Sequence, residues 1–452
     1  MARIALSHVP HSGRDLEDYV AGMFQAAGYF VEKNIHQRDV SEVLELDAVA
    51  TSYDGPVPRS VLAEAKGGRW GFPDIFKVAG WMAYLGIDRS GFFVKEGAGV
   101  RDVERIHRAV APMGVSLVDL GDFSDPSARL DEGGFRSPVS PLLLEVWRLS
   151  FWVERTLLDK VRAERRAQPD LRGPEDVLLY HDLVNDHVFF LKDVAERLRR
   201  IYAAYRSHPR LSATLAAELA EGPFRLDAPT ARGGAPPGAP WTRPGDRVLA
   251  EAMFEGKHPA LQGSFYVEHR ARLSILKACI DLACLAAAGQ LPRPDDARET
   301  FAALPATFRE GFRTLRTRPS FRRYAVLWQV FLWGLGGFYL ADREAEEFGW
   351  LAAQSGIPVG EIGVGLRAFD DLFPLGKGSW IVPVKGTTLR IAKMVPMAFR
   401  GVGAVQRLRR ARARNFDGFG LGSLTRRNLI TWHNALIRLL ATDAPPAAPA
   451  KR

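Results

Sequence analysis

A chain of 452 residues exceeds the about 250–300 residues at which a single core stops growing, so two to four domains are expected. Apolar residues make up 47% and charged residues 25%, proportions that exclude global disorder. Lys and Arg outnumber Asp and Glu by 61 to 52 for a net charge of +9, which favours a polyanionic partner such as nucleic acid, although an Arg-rich composition throughout gives the same balance.

Residues 14–27 place Leu16, Val20, Met23, Phe24 and Ala27 at helical spacing, with Gly28 as a stop. Three β-prone runs follow at 29–35, 43–52 and 60–66, and the turn-forming YDGPVPR joins the last two as a hairpin. Pro73 opens a second helix, followed by a strand at 91–95, a helix near 101–111 and a strand at 115–120. The order αβββαβαβ over residues 1–125 implies an α/β domain with a mixed sheet.

Beyond it the pattern is mainly helical, at 138–222 and again at 247–341, around a Gly/Pro-rich linker at 223–246 that no helix can cross. Within the second helical region, the apolar run Tyr324–Ala341 approaches the lower length limit of a membrane span. Gln329 would be costly in lipid, and Gly334, Gly336 and Gly337 weaken a helix, so a buried central helix and no membrane partner are expected. Residues 342–400 hold a helix, a turn at Gly356, a second helix, and two β-prone arms about Lys385 and Gly386, a pattern of helix-turn-helix plus wing. The second helix is poor in basic residues, so a packing or protein-contact module is the alternative. Residues 401–452 form a basic helical end; with Arg400 just before it, Arg407, Arg409, Arg410, Arg412 and Arg414 could neutralise several phosphates, or form a solvated face.

Cys279 and Cys284 are the only cysteines. Five residues apart on a helical pattern, they face different ways and cannot readily share a disulfide or a zinc ion, which fits a reducing cytoplasm. The first residues lack the apolar core of a secretory signal, so export is not expected. His181, Asp182, Asn185, Asp186 and His187 cluster on one predicted helix, but the apolar face formed by Leu183, Val184, Val188 and Phe189 assigns them to its outside rather than to a metal site.

The chemistry gathers in the hairpin. If its centre lies between Gly55 and Pro56, Asp47 stands opposite Glu64 at about 5 Å. Alternation along the strand puts Lys66 on the same face as Glu64 and turns Ala65 into the packing. Phosphodiester hydrolysis needs charge neutralised at the phosphate and water activated near pH 7, and Mg²⁺ held by Asp47 and Glu64 can provide both. The Lys66 ammonium would orient or deprotonate water and support developing charge, and the Ala65 carbonyl could complete the metal's ligands. Lys77 and Asp74 lie on the helix after the motif, within reach of backbone phosphates or the site; Arg69 and Trp70 occupy the loop before it.

Leu46-Asp47 and Glu64-Ala65-Lys66, between a first helix carrying Glu17 and a following helix, resemble the PD-(D/E)XK nuclease superfamily over roughly residues 10–122. Leu46 stands where the family usually has Pro. The resemblance implies a restriction-endonuclease-like α/β fold and a Mg²⁺-dependent endonuclease (Mn²⁺ substituting) acting on DNA, in restriction or defence against foreign DNA. It also implies catalytic roles for Asp47, Glu64 and Lys66, with Glu17 assisting at the metal. An effector cutting RNA or DNA, switched on by a protein partner or assembled as a homodimer, and an inactive nucleic-acid-binding protein are the alternatives.

Overall fold

The computed structural model describes residues 13–95, 103–187, 193–208, 259–334 and 344–373, apart from breaks at 38–43, 122–124 and 140, with short pieces elsewhere that include 338–340, 380–384 and 387–391. The linker at 223–246 and the arginines at 400, 407, 409, 410, 412 and 414 lie outside the described residues.

Helix α1 (Arg14–Ala26) leads into strands β1 (Phe30–Gln37), β2 (Leu44–Ser52) and β3 (Arg59–Lys66), followed by α2 (Phe72–Leu85), β4 (Ser90–Val94), α3 (Val103–Val110) and β5 (Val115–Asp119). The element order is the expected one. The sheet runs β1-β2-β3-β4-β5, antiparallel across its first two pairings and parallel across its last two. Hairpin turns suffice for the antiparallel strands, whereas the parallel ones need crossovers, supplied by α2 and α3.

Each face of the sheet is covered. On one, Tyr19, Val20, Met23 and Phe24 of α1 pack against Ala50, Val61, Ala63 and Phe93. On the other, Ile75, Val78 and Trp81 of α2 with Ile106 and Val110 of α3 pack against Val49, Leu62, Phe92 and Leu117. Phe24 is fully buried, its ring edge-on to Tyr29 at 5.2 Å and to Phe93 at 5.7 Å; a cavity at such a site costs roughly 3–5 kcal/mol.

The helical region comprises α4 (Pro126–Glu132), α5 (Pro141–Ala167), α6 (Arg172–Asp182), α7 (Val194–Ser207), α8 (Pro259–Ala287), α9 (Asp296–Ala302), α10 (Ala306–Arg316), α11 (Tyr324–Gln329), α12 (Glu344–Ser355) and α13 (Val359–Leu372). One hydrophobic cluster runs from α1 through α5 and α8 to α13. Buried ion pairs fix the register where the helices meet the sheet: Glu32 on β1 meets Arg197 of α7 at 2.7 Å and Lys277 of α8 at 3.7 Å, and Lys277 also pairs with Asp281 within α8 at 2.6 Å. Asp281 also accepts from the Tyr53 hydroxyl at 2.8 Å. At the hairpin tip, Asp54 is paired with Arg136 at 2.7 Å and Arg323 at 2.6 Å, and Arg322 donates to the Gly55 carbonyl. The helical region therefore grips the far end of the two strands that carry the acidic motif.

Gln329 explains the apolar run around it. α11 extends only to Gln329, then gives way to a π-helical turn over Val330–Gly334, with a strand at Phe338–Leu340. Here β1 is an edge strand, and an exposed edge leaves main-chain groups unpaired. The Gln329 amide closes that edge: its Oε1 accepts from Val31 N at 2.9 Å and its Nε2 donates to Val31 O at 2.7 Å. From Tyr324 to Leu332 the run is buried as expected, although as a six-residue helix and a π turn rather than one long helix. Among the described residues no helix is long and apolar enough to cross a membrane.

The expected helix-turn-helix is present as α12 and α13 around Gly356, whose φ is +66°. The strands Trp380–Val384 and Thr387–Ile391 pair antiparallel, with Phe338–Leu340 beside the second in a three-stranded sheet; Lys385 and Gly386 lie outside the described residues. α13 keeps Arg367 and Asp371 exposed and packs its other side into the core. Ile362, Leu366 and Phe369 are buried, and Trp328 Nε1 donates to the Gly365 carbonyl at 2.9 Å. A Cβ at Gly365 would come within 2.6 Å of the Tyr324 ring.

The 181–187 segment also departs from expectation. Its last residues, Leu183–His187, form a π turn, and the wider turn shifts the buried face by about one position. His181 and Asn185 are therefore inside, paired at 3.0 Å, rather than on the surface. Burial lowers the His181 pKa. Cys279 and Cys284 are free and buried.

Candidate active site

The β2–β3 register runs from Ser52 opposite Arg59 to Ala48 opposite Ala63, the register that the turn chemistry at Gly55-Pro56 implied. Extended by one residue it sets Asp47 opposite Glu64, but regular pairing stops just before that point. On the other side of β2, the pairing with β1 skips Asn34 and Asp47, and Asn34 adopts φ +52°. That conformation is strained for most residues and tolerated by Asn. The strand pair turns over at this point: Val31 lies in the core beneath α1, whereas Ile35, of the same parity, lies in the core beneath α2.

The consequence falls on Asp47. Its Oδ2 takes the place of a main-chain acceptor and receives the Ala65 N–H at 2.8 Å. A carboxylate that would have stood up from a regular strand is thereby set between strands and locked to the middle residue of Glu64-Ala65-Lys66. Ala65 packs against the core as expected. Asn34 was not singled out from the sequence; an Asn inside an apolar strand run was the available signal.

Glu64 is only 2% exposed. Its Oε1 meets Lys66 Nζ at 2.9 Å, and its Oε2 is buried without a hydrogen-bond partner. Leaving a buried carboxylate oxygen unmet costs on the order of 1–3 kcal/mol or more, so an atom in this position calls for an explanation. Burial, then the charges of Glu64 and Glu17, raise the Asp47 pKa well above the usual carboxylate range, against the pull of Ala65 N–H and Lys66. Burial also raises Glu64, while Lys66 and Lys77 act to lower it. Burial works against the Lys66 ammonium, yet Glu64, Asp47 and Asp74 outweigh it and hold its pKa above the ordinary lysine value. Lys66 is therefore held as a cation by these carboxylates, suited to stabilise charge and orient water.

Glu17, on α1, is half-buried with its pKa raised by burial and by Asp18 and Glu45; its influence on Asp47 is electrostatic. Lys77 is exposed on α2, within electrostatic reach of Glu64, with its Nζ 4.3 Å from the centre of the Trp81 ring. Trp70 is buried against Phe92, and Arg69 is exposed in the loop. Asp74 is committed to capping α2, its Oδ2 accepting from Gly71 N at 3.0 Å.

The donor set fits one divalent cation. Among the described residues no group of three or more His, Cys, Asp or Glu is placed to hold a metal by side chains alone. Mg²⁺ does not require one, since it usually binds through one or two carboxylates and keeps several waters. Two desolvated carboxylates, one of them with a buried oxygen that has no hydrogen-bond partner, are donors of that kind. Comparison with family models, curated proteins and solved structures finds no match.

Proposed function

We propose that the N-terminal α/β unit is a metal-dependent nuclease that hydrolyses phosphodiester bonds in DNA, with its active site at Asp47, Glu64 and Lys66. The observation that carries this reading is the buried, unpartnered Glu64 Oε2 beside an Asp47 carboxylate that a break in the sheet has locked in place. The resemblance to the PD-(D/E)XK superfamily points the same way, and so does the +9 charge of the chain.

Asp47, Glu64 and the Ala65 carbonyl would hold Mg²⁺, with Glu17 adding negative charge from α1. When bound, the ion supplies charge neutralisation at the phosphate and activates water near neutral pH. Lys66 would orient the attacking water, donate to a phosphate oxygen and offset charge as the bond to the leaving oxygen breaks. The Ala65 N–H keeps Asp47 from swinging away, and the grip on Asp54 and Gly55 steadies the hairpin behind the site.

The test is incubation of plasmid and single-stranded DNA with the wild-type protein and a Lys66→Ala variant, in Mg²⁺, Mn²⁺ or EDTA. Metal-dependent cutting lost in the variant supports the assignment. Cutting that survives in Lys66→Ala or in EDTA removes it.

A further inference from the structure

The placement of the Asp47 carboxylate depends on a break in β1, and that break is held from outside the sheet. Asn34 interrupts the pairing of β1 with β2, and its φ of +52° is left-handed, a conformation that a residue in a regular strand does not adopt. Lys33 comes immediately before it. The Lys33 carbonyl and the Asn34 N–H belong to one planar peptide unit, so the direction of that carbonyl fixes one side of the rotation about the Asn34 N–Cα bond. Residues two apart on a strand turn their main-chain groups the same way. Those of Val31 face the edge of β1, where Gln329 meets them, and the Lys33 carbonyl faces the same edge, where it accepts from Arg270 Nη2 of α8 at 3.1 Å.

Arg270 is itself fixed. Its Nη1 donates to Glu154 Oε1 of α5 at 2.9 Å and to the Tyr266 hydroxyl at 2.7 Å, and the Arg270 and Glu154 side chains are only 14% and 13% exposed. A planar guanidinium tied in this way has one orientation, so α5 and α8 together decide where Nη2 points. A buried pair of this kind adds little net stability over apolar packing; what it supplies here is direction. The Lys33 side chain is anchored separately. Its Nζ lies 2.6 Å from Asp18 Oδ1 of α1 and 4.6 Å from the centre of the Phe151 ring of α5, and Asp18 Oδ2 meets Arg155 of α5 at 3.3 Å.

We infer that Arg270 is a positioning residue for Asp47: by holding the Lys33 carbonyl it keeps Asn34 in its left-handed conformation, and so keeps the Asp47 carboxylate on the Ala65 N–H. The chain of contact runs from Glu154 and Arg270 in the helical region, through the Lys33–Asn34 peptide, to the residue that Asn34 faces across the break and from there to the middle of Glu64-Ala65-Lys66. Helices α5 and α8 thereby set the geometry of a carboxylate that neither of them touches. This inference rests on the nuclease reading for what Asp47 does, but not for where Asp47 sits.

Hydrogen exchange of the Ala65 amide reads the position of Asp47 without any catalysis. It is followed on alanine-labelled full-length protein in EDTA, with the amide of Ala50, inside the central strand β2, as the internal reference; Ala65→Gly and Ala50→Gly assign the two signals. Arg270→Met is combined with Glu154→Gln so that neither group is left as a lone buried charge. The combined variant should exchange Ala65 roughly 5- to 10-fold faster, about the worth of one hydrogen bond, with Ala50 unchanged. Adding Asn34→Gly should restore slow exchange, because Gly holds a positive φ without steric cost, a repair that does nothing for loosened packing. In Mg²⁺ the combined variant should cut more slowly at saturating DNA with the half-saturating DNA concentration unchanged, and Asn34→Gly should recover the rate. Ala65 exchange that merely follows Ala50, no recovery with Asn34→Gly, or an unchanged rate where wild type cuts would each overturn the inference. Faster Ala65 exchange in the variant, with no metal-dependent cutting by wild type, would leave Arg270 positioning Asp47 and remove the nuclease reading.

Discussion

Replacing Asp47 by Asn separates a functional site from a structural one without measuring catalysis. The amide oxygen of Asn can still accept the Ala65 N–H that Asp47 Oδ2 receives at 2.8 Å, so the local geometry survives. The substitution removes the negative charge that burial and the neighbouring charges of Glu64 and Glu17 make costly at this position. Two carboxylates at roughly 5 Å with an effective dielectric near 20 repel by about 3 kcal/mol at most. The variant should therefore be about 1–3 kcal/mol more stable than wild type in EDTA at pH 8. Magnesium should reverse the order of benefit: 10 mM Mg²⁺ acting on a site with a Kd of about 1 mM stabilises wild type by about 1.4 kcal/mol and leaves Asp47→Asn unchanged. Thermal melts of both proteins in EDTA and in Mg²⁺ read all four values. An Asp47→Asn protein that is less stable than wild type in EDTA, or one that gains as much from Mg²⁺, would refute the reasoning.

Further predictions concern the framework. Gln329→Leu keeps the apolar packing of α11 but strands Val31 N and O, each at about 1–3 kcal/mol, so urea unfolding should show a loss of about 2–6 kcal/mol. Asn34→Gly should be nearly neutral and Asn34→Val should cost about 1–2 kcal/mol, because only the former accepts φ +52° without strain; chemical denaturation of both variants distinguishes this from a simple packing effect. Burial, followed by Arg272, lowers the His269 pKa well below 6.5. Its neutral form therefore contributes stability that is full above the unfolded pKa of about 6.5 and is lost as pH falls toward the folded value, with a slope up to about 1.4 kcal/mol per pH unit. Stability of wild type relative to His269→Leu, followed by melts from pH 7.5 to 5, should shrink steadily over that range; a constant difference would contradict the assignment.

Much of the N-terminal unit was legible because its signals are local. The α1 face, the DGP turn and the helix start at Pro73 each depend on a few adjacent residues, and the turn alone sets the register of Ala48 to Ala63. What alternation could not supply was the break at Asn34 and Asp47. A period-of-two rule has no term for a strand pair that turns over, and it is this defect that aims the carboxylate. The exposure of Phe76 on α2 was hidden for a related reason: an apolar residue on a helix reads as core, and only packing shows that Trp81 faces in while Phe76 faces out. Gln329 and His181 were misjudged or unexplained because their partners are distant in sequence or lie beyond a π turn. Gln329 bonds a residue 298 positions away, a pairing that no window of sequence contains.

The central claim is that Glu64 contributes its negative charge rather than its shape. Glu64→Gln preserves the side-chain volume and an acceptor for Lys66 Nζ, now 2.9 Å from Oε1, while removing the charge that would hold a metal ion. The decisive measurement is the single-turnover cleavage rate of wild type and Glu64→Gln on the same nucleic acid at the same Mg²⁺ concentration. The account predicts cutting by wild type and a fall of roughly 10²–10⁴-fold in the variant with its melting curve intact; cleavage by Glu64→Gln at the wild-type rate would contradict it.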